Sequence, residues 1–197
     1  MKDKRLLAAP LFAIILASFL LFFFPRAGDV VGEDGRDYIA SGRPLPSFSL
    51  KNTRGEVVSL DSFRGKVVLV FFGYTSCPDV CPMALKKYAE VERLLGNRAD
   101  EVVMLFITTD PQRDTPKTLE KYVAGFSPSI VALTGTWEEL ASVWQKYHAR
   151  PFEQAGEGSY AIHSAVIYVG DRSLVLRKIL TPEMPAEEMA KEIEKLI

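Results

Sequence analysis

Cys77 and Cys81 are the only cysteines in the 197-residue chain. They lie four positions apart in Gly73-Tyr74-Thr75-Ser76-Cys77-Pro78-Asp79-Val80-Cys81-Pro82, directly after an apolar run at residues 67–72. That run is rich in β-branched and aromatic residues and reads as a buried strand. Residues 83–95 carry apolar side chains at helical spacing, so the cysteines stand where a strand hands over to a helix. A thiol at a helix N-terminus feels the positive end of the dipole, which favours thiolate. Thiolates serve both redox chemistry and soft-metal binding. Proline is tolerated in a first helical turn and resisted further in. With Pro78 and Pro82 inside the motif, the helix is expected to start near Cys81, with Cys77 in the preceding loop. Both sulfurs then converge over the helix N-terminus. The plainer alternative is a buried structural disulfide or a pair of inert core thiols.

The elements that must position this pair follow from pattern. Residues 48–50 and 57–60 flank Asn52-Thr53-Arg54-Gly55 and read as a hairpin. The strand at 66–72 precedes the first long helix, which ends near Gly96-Asn97. Residues 101–108 form a second buried strand, and 115–124 a helix opened by Pro116. Residues 130–133 are a short strand. Thr136 caps a helix from Trp137 to about Tyr147, with Glu138 and Glu139 in its first turn. Residues 150–159 are loop-like, with Gly156 and Gly158. Residues 161–170 and 174–179 form a second hairpin about Asp171-Arg172-Ser173, and Pro185 opens a closing helix to Ile197. Strand–helix alternation in the middle implies parallel strands with right-handed crossovers, and the late hairpin makes the sheet mixed. The expected class is α/β, with a mixed central sheet flanked by helices.

The N-terminus has a different character. Residues 6–24 carry no charge and are almost wholly apolar. Nineteen residues come close to the roughly 20 needed to cross a bilayer as a helix. Lys2, Lys4 and Arg5 precede them with one acid, Asp3, so residues 1–5 are expected in the cytoplasm. A cleaved signal would have a shorter apolar core and a small-x-small site, and Phe22-Phe23-Phe24-Pro25-Arg26-Ala27 is a poor one. With no cysteine nearby, a lipid-modified N-terminus is not expected either. The layout is then a transmembrane anchor at 6–24, a polar linker at 25–44 and a globular domain at 45–197. It implies a single-pass protein of the inner (cytoplasmic) membrane, with its functional domain on the periplasmic or equivalent outer side. A dithiol in such an oxidising compartment must be kept reduced by a partner or capped by a metal. The formal net charge of −1 gives no reason to propose nucleic acid, and no basic patch is interleaved with aromatics.

The order of elements, with a dithiol after the first central strand, resembles the thioredoxin fold. Two histidines remain. His148 sits at the end of a helix, a usual place for a histidine facing free carbonyls. His163 immediately precedes the strand at 165–169. In thioredoxin-like proteins a cis-proline loop occupies that place and faces the dithiol; here His163-Ser164 stands instead. An imidazole aimed at two thiolates makes a Cys2His set, which suits copper or zinc. Structural zinc normally takes a fourth protein ligand, and no third cysteine exists. Copper accepts three ligands as Cu(I) and a tetragonal site as Cu(II).

With Thr109-Asp110-Pro111-Gln112-Arg113-Asp114-Thr115-Pro116 and His163-Ser164 added to the cysteine motif, the chain resembles the Sco/SenC family from about Leu45 to its end. These are copper-binding proteins that help assemble cytochrome c oxidase. The resemblance implies that Cys77, Cys81 and His163 are copper ligands. It also implies a role as copper chaperone for the binuclear CuA site of oxidase subunit II, or as reductant of that site's cysteines. A copper donor and a thiol reductant, both unidentified, would be further partners. The family commonly has an aspartate just before the histidine; here Ile162 stands there. Asp79, inside the dithiol loop, and Tyr160 are candidates to compensate. Asp110 ends the strand beside the dithiol strand and is a candidate to support the site from its rim. Asp114 and Thr115 are expected to cap the next helix, with Pro116 near its first position. The glycines of 150–159 lead us to expect His163 to be mobile without metal and ordered with it.

The rival reading is a thiol–disulfide reductase, in which Cys77 and Cys81 are catalytic and His163 is dispensable. Three residues between the cysteines, not two, argue against a general oxidoreductase. A peroxidase would need a single activated cysteine in another motif. Redox signalling would use the same residues.

Overall fold

The computed structural model describes residues 41–149 and 166–197. The strands are β1 (Ser49–Asn52), β2 (Val57–Ser59), β3 (Val67–Gly73), β4 (Val102–Thr108), β5 (Val131–Thr134), β6 (Ile167–Gly170) and β7 (Leu176–Leu180). The helices are α1 (Val80–Leu95), α2 (Pro116–Ala124), α3 (Trp137–Lys146) and α4 (Ala186–Glu194). Two short 3-10 helices, Leu60–Phe63 and Gly96–Glu101, close the ends of β2 and α1. The element order matches the sequence reading, and most boundaries shift by a residue or two; the closing helix ends at Glu194 rather than Ile197, and the strand expected from residue 161 begins at Ile167 among the described residues, with 161–165 outside them.

The strands form one sheet in the order β2-β1-β5-β4-β3-β6-β7. β3, β4 and β5 run parallel, while β6 lies antiparallel to β3 and β1 antiparallel to β5. Every residue of β3 and β4 is buried, which explains their unbroken apolar runs: both faces of the centre are covered. Period-two alternation divides β3 between two layers. Val67, Leu69 and Phe71 face a layer built by α1, α2 and α4. Val68, Val70 and Phe72 face a layer built by α3 and the segment around Leu45 and Phe48. The connections β3-α1-β4 and β4-α2-β5 step the same way across the sheet, so both helices fall on one face. The return through α3 to β6 falls on the other.

Helix ends are set by local chemistry. Thr136 and Glu139 make a reciprocal capping box at the start of α3, as expected. At α2 the cap is Thr115 alone, whose side chain accepts from the Thr118 N–H, with Pro116 at the first position. Asp114, expected to share that role, turns away from the helix.

Residues 41–44, read as the end of the linker, are part of the sheet edge. The Gly42 N–H donates to the Leu176 carbonyl at 2.7 Å, and the Leu176 N–H to the Arg43 carbonyl at 2.8 Å. Pro44 pairs with Val175. The linker's other residues and the anchor segment at 6–24 lie outside the described residues. Among the described residues no helix is long and apolar enough to cross a membrane.

Candidate metal centre

β3 ends on Gly73 and α1 begins at Val80, so the cysteine loop bridges the carboxyl end of a central strand to a helix N-terminus. Cys77 lies in that loop and is half-buried; Cys81 lies in the first turn of α1 and is buried. Both are free thiols, so the structural-disulfide alternative does not describe this state. The Cys81 N–H points at the Cys77 sulfur from 3.4 Å. The N–H groups of Asp79 and Val80 bond to the same sulfur. Asp79 occupies the N-cap position, but its side chain is exposed and makes no cap hydrogen bond; its contribution is its backbone.

The two sulfurs are unequal. A hydrogen bond from Cys81 and the three helix N–H groups lower the Cys77 pKa to about 5, against the opposing effect of burial. The same hydrogen bond, burial and the neighbouring Cys77 charge push the Cys81 thiol far up. One proton is therefore held on the inner sulfur while the outer one is a thiolate. Tyr74, at the start of the loop, hydrogen-bonds to Cys77. Burial first, then the charges of the two cysteines, raises its hydroxyl to about 12.

Gly73 determines how closely α1 approaches. A Cβ placed there would lie 2.7 Å from the Cys81 sulfur and 2.9 Å from Cε2 of Phe106, so the sulfur occupies the room of a side chain. Asp114 holds the loop from the other side. Its carboxylate, 1 % exposed, accepts from the Thr75 N–H at 3.2 Å, the Thr75 hydroxyl at 2.5 Å and the Thr108 hydroxyl at 2.7 Å. Burial raises its pKa, with these bonds opposing and the Asp110 charge reinforcing. Asp110 is also buried, and its carboxylate pairs with Arg113 while its N–H donates to the Thr108 hydroxyl at 2.9 Å. From the opposite layer, Trp144 Nε1 donates to the Thr108 carbonyl at 3.1 Å.

The sequence reading missed Gly73 and Asp114 as site residues. The only available signals were a glycine closing an apolar run and an acid two residues before a helical proline. His148 lies beyond the end of α3 with φ of +53°, exposed, between Tyr147 and Ala149, which pack into the layer opposite Cys81. His163, together with Ile162 and Tyr160, lies outside the described residues. Among the described residues no three His, Cys, Asp or Glu side chains form a group able to hold a metal, so neither Asp79 nor Asp110 completes a set with the sulfurs. The donors present, a thiolate beside a thiol at the mouth of a helix, fit a soft, thiophilic ion.

A seven-stranded mixed sheet flanked by helices, with its dithiol at this handover, defines a protein of thioredoxin-like architecture. The family model described as SCO1/SenC matches residues 38–197. An SCO2-like protein of Rickettsia prowazekii is 34% identical over 157 residues, spanning 78% of this chain and 75% of the relative. The solved structure of Bradyrhizobium japonicum ScoI with copper bound matches with a TM-score of 0.67 and 35% identity, covering 78% of this chain and 99% of that one. Yeast Sco1 with copper bound matches with a TM-score of 0.66 and 28% identity, covering 78% and 91%. The chain belongs to the SCO1/SenC family.

Three outcomes test the site. Alkylation of Cys77 by iodoacetamide should fall about tenfold per pH unit below about pH 5 and level off above it, with Cys81 far slower. A Cys77 midpoint near the ordinary thiol value would refute the helix-held thiolate. Gly73→Ala should cost about 1–3 kcal/mol in urea denaturation and expose Cys81 to thiol reagents, as overpacking does. Asp114→Ala strands three donors, the buried Thr108 hydroxyl among them, and should cost about 1–3 kcal/mol while leaving α2 capped by Thr115; unchanged stability would show that the clasp is idle.

Proposed function

We propose that this protein is a membrane-anchored copper chaperone. It binds one copper ion through Cys77, Cys81 and His163 and passes it to the CuA site of cytochrome c oxidase subunit II. The observation that carries the ligand set is the pairing of β6 with β3. Ile167, the first residue of β6, stands opposite Phe71, at the end of β3 that leads into the dithiol loop. His163 precedes Ile167 by four residues, so chain length alone keeps its Cα within about 14 Å of that point. The soft sulfur pair then needs only an imidazole reaching back across the sheet end. Copper in the matched structures of B. japonicum ScoI and yeast Sco1 supports the choice of ion. Family membership carries the expectation of service to cytochrome c oxidase.

Copper is the cargo here, and the chain's residues have separable tasks. Cys81, buried against Gly73, is the fixed donor. Cys77, half-buried and ionised, is the donor a partner's thiolate can reach and replace. Three ligands leave a face open for that exchange. The segment at 6–24 anchors the domain on the outer side of the inner membrane, where subunit II presents its metal site.

The inequality of the sulfurs also favours a second reading, reduction of the partner's disulfide. The Cys77 thiolate would attack one partner sulfur, releasing the other as a thiolate. Cys81, giving up its proton, would then attack Cys77 and release the second partner thiol, leaving the Cys77–Cys81 disulfide.

Metal analysis of the full chain, purified reduced in detergent and given equimolar Cu(I), separates the two. The expected result is one copper per chain, lost in Cys77→Ala and Cys81→Ala and weakened at least tenfold in His163→Ala. Wild-type protein that stays copper-free, or prefers zinc, would sink the chaperone reading. His163→Ala with full disulfide-reducing activity would favour the reductase.

A further inference from the structure

Tyr122, on α2, carries a hydroxyl that is buried and has no hydrogen-bond partner, one of two such side-chain atoms among the described residues. A buried hydroxyl left unpaired is costly. The ring does not need it. Tyr122 packs on Phe106 at 5.8 Å between ring centroids and on Phe126 at 5.3 Å, contacts a phenylalanine would make equally well. Its neighbour Phe106 meets the Cys81 sulfur in the space above Gly73, so Tyr122 stands one ring away from that sulfur. Tyr122 and Cys77 both pack against the core cluster that contains Cys81. Burial first, and then the charges of Cys81 and Cys77, hold the Tyr122 hydroxyl protonated. The group is thus an O–H donor, kept dry, beside sulfurs that gain acceptor strength as electron density collects on them. The outer sulfur already has Tyr74 and the helix N–H groups. The inner sulfur donates its own hydrogen to Cys77 and meets a backbone group of Tyr74.

We propose that Tyr122 is a positioning residue that donates a hydrogen bond to the Cys81 sulfur when that sulfur serves as a copper-bound thiolate. The bond withdraws charge from the sulfur and so favours Cu(I) over Cu(II). This rests on the copper reading, but the same donor stabilises the reduced dithiol over the disulfide whether or not copper is the cargo.

The test uses the full chain in detergent, with Tyr122→Phe against wild type. Tyr88→Phe is the control: that tyrosine lies in the same core and accepts from the Ser129 hydroxyl at 3.4 Å. Tyr122→Phe should melt at or above the wild-type temperature, since an unpaired group is removed, and should bind equimolar copper. Its Cu(II)/Cu(I) ratio at fixed potential should rise about tenfold, a midpoint about 59 mV lower for one electron. In metal-free protein equilibrated with glutathione, its disulfide/dithiol ratio should rise about tenfold, a midpoint about 30 mV lower for two electrons. Tyr88→Phe should lose stability and move neither midpoint. Wild-type values for both midpoints in Tyr122→Phe would overturn the proposal, as would equal shifts in Tyr88→Phe. If wild type takes no copper, the chaperone reading falls alone and the glutathione equilibrium decides the role of Tyr122.

Discussion

A sulfur atom resting on bare backbone governs the geometry of this domain. Cys81 lies against Gly73 at a distance that excludes any side chain there, so the helix it begins can press directly onto the end of the central strand. That approach aims the first N–H groups of α1 at Cys77. Loosening the contact would move the helix mouth, and with it the electrostatics of both thiols.

The site concentrates negative charge in a poorly hydrated place, which is costly unless each charge has its own donors. The donor sets are separate. The Cys77 thiolate is held by helix N–H groups and Tyr74, and the Asp114 carboxylate by Thr75 and Thr108. Asp114 thereby ties the loop after β3 to the end of β4 without taking donors from the sulfur. Its charge adds to the pressure that keeps Cys81 protonated until something with greater affinity for sulfur displaces the proton. The inner sulfur is stored neutral and the outer one charged, an asymmetry that serves ion capture and disulfide attack alike.

Much of this was legible because burial on two faces leaves a plain mark. The runs at β3 and β4 are unbroken because helices cover both sides, and the prolines around the cysteines permit a helix start nowhere but there. Thr136 with Glu139 spells a cap whose partners are neighbours in the chain. Residues 41–44 were not legible. They join the sheet through backbone hydrogen bonds to β7, which any side chains can make, so no hydrophobic period reveals them. Asp114 was misread because its sequence context, two residues before a proline at a helix start, fits a cap as well as a clasp. The choice depends on Thr75, 39 positions away.

The sequence by itself determined the order of the elements, the handover from strand to helix at the dithiol, and the thiol chemistry available there. These follow from periodicity, proline and dipole, all local properties of the chain. Only the tertiary structure decided which thiol is ionised, why residue 73 must be glycine, what Asp114 holds, and which tyrosine hydroxyl was left without a partner beside the sulfurs. Each of these depends on distances between segments far apart in the chain, where a few tenths of an ångström or one buried donor decides the outcome and no spacing rule reaches.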